Sequence, residues 1–343
     1  MHCGSTLAFL PDRLTMAALA ASPQDGAGIW RCIGAHGNAH NAGRLYRMCH
    51  NQITYQACNF AVPVDDSSHL CASCRQTRVL PDLSEPANIG RWMQIEAAKR
   101  RLFYTLARLR LEPAPSGASP TFEFLADLPG GPSVLTGHYN GTITLNVAEA
   151  DDDIRASRRI ALGEPLRTLV GHLRHESGHF YWDQLVRDGG RLDAFRRVFG
   201  DERQDYAAAL EAHYAKGNAM GRWAEHYVSA YAASHPWEDW AETWAHYLHM
   251  IDLLETSASY ATEVSVPGIY GAQHSTAVDP FSQPAPGFDA MVQHLVSLTL
   301  LLNSLTRSLG QLDAYPFALS QQALSKLRFV HEVVQDAVGG ASQ

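Results

Sequence analysis

The residues best suited to chemistry are two histidines and a glutamate in the segment TLVGHLRHESGHFYWDQL, residues 168–185. His175 and His179 are four positions apart, so on a helix they lie on one face and can hold one cation between their imidazoles. Glu176 lies beside that cation rather than on it, which is where a general base for an activated water belongs. The spacing predicts a catalytic zinc site, and the alternative is a chance pairing among the 17 histidines.

The residues around this motif predict the helix that the metal site needs. Glu164 and Pro165 suit a first turn after Gly163, and Asp188-Gly189-Gly190 supplies the stop. An apolar stripe for the core is formed by Leu166, Leu169, Val170, Leu173, Phe180 and Val186. His172 lies one turn earlier on the same face, and we interpret it as a supporting or packing histidine rather than a ligand.

A second helix is predicted from HPWEDWAETWAHYLHMIDLLET, residues 235–256, with His235 as its cap and Pro236 at its first position. One face carries Glu238, Ala241, Glu242, Ala245 and His249. The opposite face, predicted to join the core, carries Trp237, Trp240, Trp244 and Ile251. The small alanines allow a close approach to the first helix, which would aim both glutamates at the metal. For Glu238 the alternative is a capping-box role at the third helical position.

Four of the six cysteines predict a separate, structural zinc site. Cys49, Cys58, Cys71 and Cys74 follow the spacing C-x8-C-x12-C-x2-C, in which the last pair is a zinc knuckle. His50 or His69 in place of one cysteine, or free thiols, are the alternatives. Residues 1–80 have few long periodic segments and are expected to depend on this metal.

The composition restricts the class of protein. A chain of 343 residues with 46% apolar residues suits one large or two smaller domains, and a net charge of −8 without a basic run argues against nucleic-acid binding. No export signal is visible, the thiols suit a reducing cytoplasm, and the apolar run 295–305 is too short to span a membrane.

The remaining patterns predict an α+β, mainly helical fold with a small domain at residues 1–80 and a larger one at residues 81–343. Helices are predicted at residues 88–111, 191–199, 205–216, 288–309 and 317–338, strands at 121–128 and 142–147, and a loop at 257–287. A strand that precedes the metal helix is expected either to form the sheet edge that holds an extended substrate or to be an ordinary core strand.

Several stretches resemble a known family. They are CNFAVP, CASCRQTRVLPDLS, AAKRRLFYTL, NGTITLNVAEADD, LGEPLRTLVGHLRHESGHFYWDQL and SAYAASHPWEDWAETWAHYLH. The chain resembles the gluzincin metallopeptidases and, more narrowly, a bacterial family of zinc-binding metallopeptidases with an N-terminal zinc ribbon. That family usually opens with two knuckles, whereas here only Cys3-Gly4 matches the first. The resemblance therefore implies a shortened N-terminus, or leaves Cys3 and Cys32 unpaired.

The resemblance also implies roles for the downstream residues. In related zincins the first glutamate of such a helix is a ligand, which implies Glu238 as the third zinc ligand and Glu242 as the acceptor of a ligand histidine's N–H. Tyr231 resembles the tyrosine that stabilises the oxyanion in some relatives, with His235 as its competitor.

The sequence thus predicts a zincin-like domain after a zinc ribbon, with one catalytic and one structural Zn²⁺. The expected activity is hydrolysis of peptide bonds in a peptide or protein substrate, with Glu176 as general base. The alternative is a zinc-stabilised interaction protein with a vestigial zincin site, but zinc binding alone does not require Glu176.

Overall fold

The computed structural model describes residues 5–35, 43–114, 116–155, 168–215, 223–268, 271–316 and 318–340. They form a mixed α+β fold of two compact units. The first unit contains Met1–Pro113 and Gly117–Ile154, and the second contains Ala114–Ser116 and Arg155–Gln343. The predicted domain boundary at residue 80 stays a prediction.

The first unit begins with an antiparallel sheet in the order β1-β2-β3-β4-β5. Its strands are β1 Thr6–Leu10, β2 Thr15–Ala21, β3 Ile29–Ala35, β4 Leu45–Met48 and β5 Ala61–Pro63. Leu10, Leu19 and Tyr46 are fully buried in a small core against this sheet. The expectation that residues 1–80 depend mainly on a metal therefore overlooked a sheet with a core of its own.

A second sheet and two helices complete the first unit. The sheet has the order β6-β7-β9-β8, and the parallel pair β7–β9 forms its middle. The elements are β6 Thr77–Val79, β7 Thr121–Leu125, β8 Gly137–Tyr139, β9 Thr142–Asn146, α1 His50–Tyr55 and α2 Pro86–Arg108. The two predicted strands are β7 and β9, and the predicted helix 88–111 is α2, whereas β6 and β8 were not predicted.

The second unit is mainly helical. Its elements are α3 Leu169–Trp182, α4 Leu192–Phe199, α5 Tyr206–Ala215, α6 Pro236–Ser259, α7 Phe288–Ser308, α8 Gln321–Gly340, β10 Glu263–Val266 and β11 Gln273–Thr276. These helices agree with those predicted from the sequence. The antiparallel hairpin β10–β11 lies in the stretch that was predicted as a loop.

Both helices of the predicted metal site are capped by side chains. Thr168 has an extended backbone and accepts a hydrogen bond from the Gly171 amide at 2.9 Å, so α3 begins later than the predicted start at Pro165. Residues 156–167 lie outside the described part of the chain. His235 accepts from the Trp237 amide, and Pro236 opens α6 as predicted.

Helix α7 is long and apolar enough to cross a membrane by length and composition, and it is longer than the run 295–305 considered from the sequence. It packs against α6 and the β10–β11 hairpin within the second unit, burying Phe288, Met291 and Leu295. Only 28% of its most apolar window is buried, and no other described helix meets these criteria.

Candidate metal centres

Helices α3 and α6 approach closely at a glycine. An added Cβ at Gly178 would lie only 2.9 Å from the Cα of Ala241, so the two backbones are nearly in contact. Two tryptophans fix this crossing, since Trp240 donates its indole N–H to the Gly178 carbonyl at 2.8 Å and Trp244 donates to Ser177 Oγ at 3.1 Å. The predicted close approach beside Ala241 is therefore present.

This crossing brings together His175, His179 and Glu238, whose donor atoms lie within 4.8 Å of one another. Glu238 Oε2 lies 3.0 Å from His175 Nε2 and 3.5 Å from His179 Nε2. Ligands of a tetrahedral zinc at bond lengths of about 2.0–2.2 Å are separated by roughly 3.3–3.6 Å. Glu238 Oε2 is buried and accepts no hydrogen bond from any residue that the structure describes. The donor set and its geometry therefore fit a zinc ion.

Glu242 contacts the opposite side of the His175 ring. Its Oε1 lies 2.7 Å from His175 Nδ1, and its Oε2 accepts a hydrogen bond from Ser229 Oγ at 2.6 Å. With the Nδ1 hydrogen donated to Glu242, the His175 Nε2 lone pair faces Glu238 Oε2 and is free for a cation. Carboxylates in this position fix the tautomer of metal-binding histidines.

The charges around His175 favour a cation. Burial lowers the pKa of His175, but the carboxylates of Glu238 and Glu242 outweigh burial and hold it well above its ordinary value. Burial likewise raises the pKa of Glu238, and the two histidines more than reverse this, keeping the carboxyl ionised. A divalent cation between these groups would supply the positive charge that a proton on His175 otherwise provides.

Glu176 is buried beside the three donors without being one of them. Its Oε1 lies 3.3 Å from His172 Nε2, so His172 contacts the glutamate, in line with a supporting histidine. Burial raises the pKa of Glu176, but the hydrogen bond with His172 and the charge of nearby histidines outweigh burial and lower it. Glu176 is therefore ionised at neutral pH and able to accept a proton.

The two candidates for an oxyanion donor are in different environments. Both ring nitrogens of His235 contact backbone groups, because Nδ1 accepts from Trp237 and Nε2 lies 3.2 Å from the Gln204 carbonyl oxygen. The Tyr231 ring lies 5.8 Å from the His175 ring. The geometry therefore favours Tyr231, with His235 acting as the helix cap.

Three contacts at this centre were not anticipated from the sequence. Trp237 was predicted to join the core, but it is half-buried and its ring lies against His179 at a centroid distance of 3.8 Å. Tyr206 donates to Glu238 and Ser229 donates to Glu242. No motif marks these residues; the only signals were Tyr227 and Tyr231 on either side of Ser229 and the position of Tyr206 at the start of a helix.

The four predicted cysteines converge in the first unit, with all sulfur atoms within 4.8 Å of one another. Cys58 Sγ lies 3.7 Å from both Cys71 Sγ and Cys74 Sγ. A disulfide needs about 2.05 Å, whereas thiolates on a tetrahedral zinc are about 3.8 Å apart. The backbone amides of Phe60, Cys71 and Cys74 donate to cysteine sulfurs at 3.4 Å. These sulfurs fit a closed structural zinc site.

The other cysteines and the alternative histidines are not part of this cluster. Cys32 is buried in the core of the five-stranded sheet, and Cys3 lies outside the described residues. His50 contacts Thr54 at 3.2 Å instead of a cysteine, and among the described residues the four-sulfur group includes neither His50 nor His69. The geometry therefore favours four sulfur donors.

Comparisons with known proteins agree with both centres. A family model described as "Putative zinc-binding metallo-peptidase" matches residues 88–333, and a zinc-ribbon domain model matches residues 1–85. Uncharacterized proteins of Mycobacterium bovis and Mycobacterium tuberculosis are 36% identical over 344 residues, which cover 98% of this chain and 90% of theirs. No solved structure matches the chain.

Proposed function

The chain belongs to the family of zinc-binding metallo-peptidases that carry an N-terminal zinc-ribbon domain, and we propose that it is a zinc-dependent peptidase. The observation that carries the proposal is the convergence of His175, His179 and Glu238 beside Glu176. We assign the first three as ligands of a catalytic zinc and Glu176 as the general base. The second unit is then a zincin-like domain of the gluzincin type.

Glu176 carries the proton transfers in this proposal. Bound zinc supplies Lewis acidity, which lowers the pKa of water and polarises a scissile carbonyl. The ionised Glu176 carboxylate accepts a proton from the attacking water and delivers it to the leaving amine. His172, 3.3 Å from Glu176, orients that carboxylate. The buried surroundings limit exchange of the proton with solvent.

The neighbouring side chains hold and complement this arrangement. Glu242 fixes the His175 tautomer from 2.7 Å, and Ser229 holds the other oxygen of Glu242. Tyr231 is the donor for the negative charge that develops on the carbonyl oxygen during attack. A hydrogen bond to an oxyanion strengthens as the charge develops, so this contact would accelerate the reaction rather than only bind substrate.

A second zinc, held by Cys49, Cys58, Cys71 and Cys74, is proposed to be structural. Four thiolates close the coordination shell, so no chemistry is expected there. Because the clustered cysteines are free and buried, we propose a reducing compartment such as the cytoplasm. Its partner is a peptide or protein substrate, and we expect neither nucleic acid nor a membrane as a partner.

Substitution of Glu176 tests the proposal. The zinc-loaded full chain and its Glu176→Gln variant would be incubated with a proteome-derived peptide library, and zinc content would be measured for both. The wild type should cleave peptides, and the variant should keep its zinc while losing nearly all cleavage, because the base is not a ligand. If the variant loses zinc together with activity, Glu176 is wrongly assigned.

The competing function is a zinc-stabilised interaction protein whose zincin site is vestigial. The same library digest separates the two, because an interaction protein would bind zinc at both centres and cleave nothing. The presence of an ionised Glu176 beside the proposed ligands supports the enzymatic function. A site that only binds zinc gains nothing from a buried carboxylate that is not a ligand.

A further inference from the structure

Tyr206 contacts the proposed third ligand directly, although it comes from a different helix. Its hydroxyl donates a hydrogen bond to Glu238 Oε1 at 2.8 Å. Glu238 Oε2 is the oxygen that faces the two histidines. The two oxygens of this carboxylate therefore have different surroundings. Oε1 accepts from a tyrosine hydroxyl, and Oε2 faces the space between the two imidazoles.

The position of Tyr206 shows that its side chain is held for this contact. Helix α5 buries none of its residues, so it gains little from a core. Tyr206 itself is 39% exposed, yet its hydroxyl reaches a Glu238 side chain that is only 2% exposed. Its ring contacts those of His235 and Trp237, at centroid distances of 5.3 and 5.9 Å. Two residues that flank the start of α6 thus orient the ring.

We propose that Tyr206 is a positioning residue that restricts Glu238 to one donor oxygen. This inference rests on the proposed function, because it assumes that Glu238 is a zinc ligand. With one oxygen hydrogen-bonded, the Glu238 carboxylate would offer a metal a single ligand atom, which would leave positions for water and substrate. Without Tyr206, the second oxygen would be free to compete for those positions.

The test compares Tyr206→Phe with wild type and with Tyr260→Phe as a matched control. The Phe ring preserves the contacts with His235 and Trp237, and Tyr260 is 81% exposed at the end of α6. Metal affinity would be measured by chelator competition on the full chain. The site would also be loaded with Co²⁺, whose d–d absorption weakens when the coordination number rises, and whose thiolate charge-transfer bands identify the cysteine site separately.

Tyr206→Phe should bind metal at the His/Glu site about 10–100-fold more weakly, because Glu238 is no longer held in position before the metal binds. It should also show weaker d–d absorption, while Tyr260→Phe matches wild type in both. The inference would be overturned if Tyr206→Phe had the metal affinity and the Co²⁺ spectrum of wild type. It would also be overturned if the metal-free variant lost thermal stability while the spectrum of the Co²⁺-loaded variant stayed unchanged. If wild type takes metal only at the thiolate site, the proposed function itself fails and the inference falls with it.

Discussion

Replacing Gly178 by alanine tests whether the contact between α3 and α6 is as close as the structure describes. The new Cβ would lie 2.9 Å from Ala241 Cα and 3.2 Å from Trp244 Cδ1. Non-bonded carbons prefer about 3.5–4.0 Å, so the helices must separate by roughly 0.6 Å or more. The contact on Ala241 is with backbone, which cannot move aside as the end of a flexible side chain can.

The expected loss of stability is the difference of two effects. Overpacking in a core costs about 1–3 kcal/mol, and this site belongs in the upper part of that range because two tryptophan hydrogen bonds span the same crossing. Alanine has a higher helix propensity than glycine, so the replacement also stabilises the helix by up to about 1 kcal/mol. The free energy of unfolding should therefore fall by about 1–2 kcal/mol.

Separating α3 from α6 should also change the geometry of the His/Glu site. The histidines lie on α3 and Glu238 lies on α6, so moving the helices apart lengthens the distances between donor atoms. Urea unfolding and chelator competition would be measured for Gly178→Ala and for Gly90→Ala, a control in α2 whose added methyl group would meet no atom within 4 Å. Gly90→Ala should be neutral or slightly stabilising and should keep both metals. Equal stability and zinc affinity in Gly178→Ala and wild type would refute the close contact.

Two further predictions concern the carboxylates and the pH dependence. Glu238→Ala should empty the His/Glu site, whereas Glu242→Ala should weaken zinc binding about 10–100-fold; the reverse pattern in chelator competition would exchange their roles. Burial lowers the pKa of His294, which contacts the hydroxyls of Ser257 and Ser275. The unfolded imidazole gains a proton below about pH 6.5 before the folded one does, so stability is lost as pH falls toward 5. His294→Gln should reduce that slope in urea unfolding, and an unchanged slope would contradict the assignment.

Helices α3 and α6 could be predicted from the sequence because the residues that indicate each helix lie close together in the chain. The four-residue spacing of His175 and His179 fixes a shared face, and Pro236 with a capping His235 marks the start of α6. Ala241 indicated the close approach because a small residue is needed at such a crossing. Each of these inferences needs only helix geometry, which holds wherever the helix is placed.

The supporting residues could not be predicted, because long-range packing places them. Tyr206 lies 32 residues before Glu238, and Ser229 lies 13 residues before Glu242. Their contacts depend on the paths of α5 and of the segment before α6, which no local pattern specifies. The same reason explains the missed sheet of the first unit. Strand β2, TMAALAA, is rich in alanine, a helix former, and only its pairing with β1 and β3 makes it a strand.

A buried cation shows how the C-terminal helix contributes to the site. Lys326 of α8 lies 2.6 Å from Asp239, the residue after Glu238, and burial raises the pKa of that aspartate to about 7 despite the lysine. The same ammonium donates to the His226 carbonyl at 2.8 Å and lies 4.0 Å from the centre of the Tyr227 ring. One lysine thus ties α8 both to the first turn of α6 and to the segment that leads to the proposed oxyanion donor. Because an unpaired buried carboxylate is costly, Lys326 is needed to bury Asp239, and through this ion pair α8 helps to fix the first turn of α6, which carries Glu238.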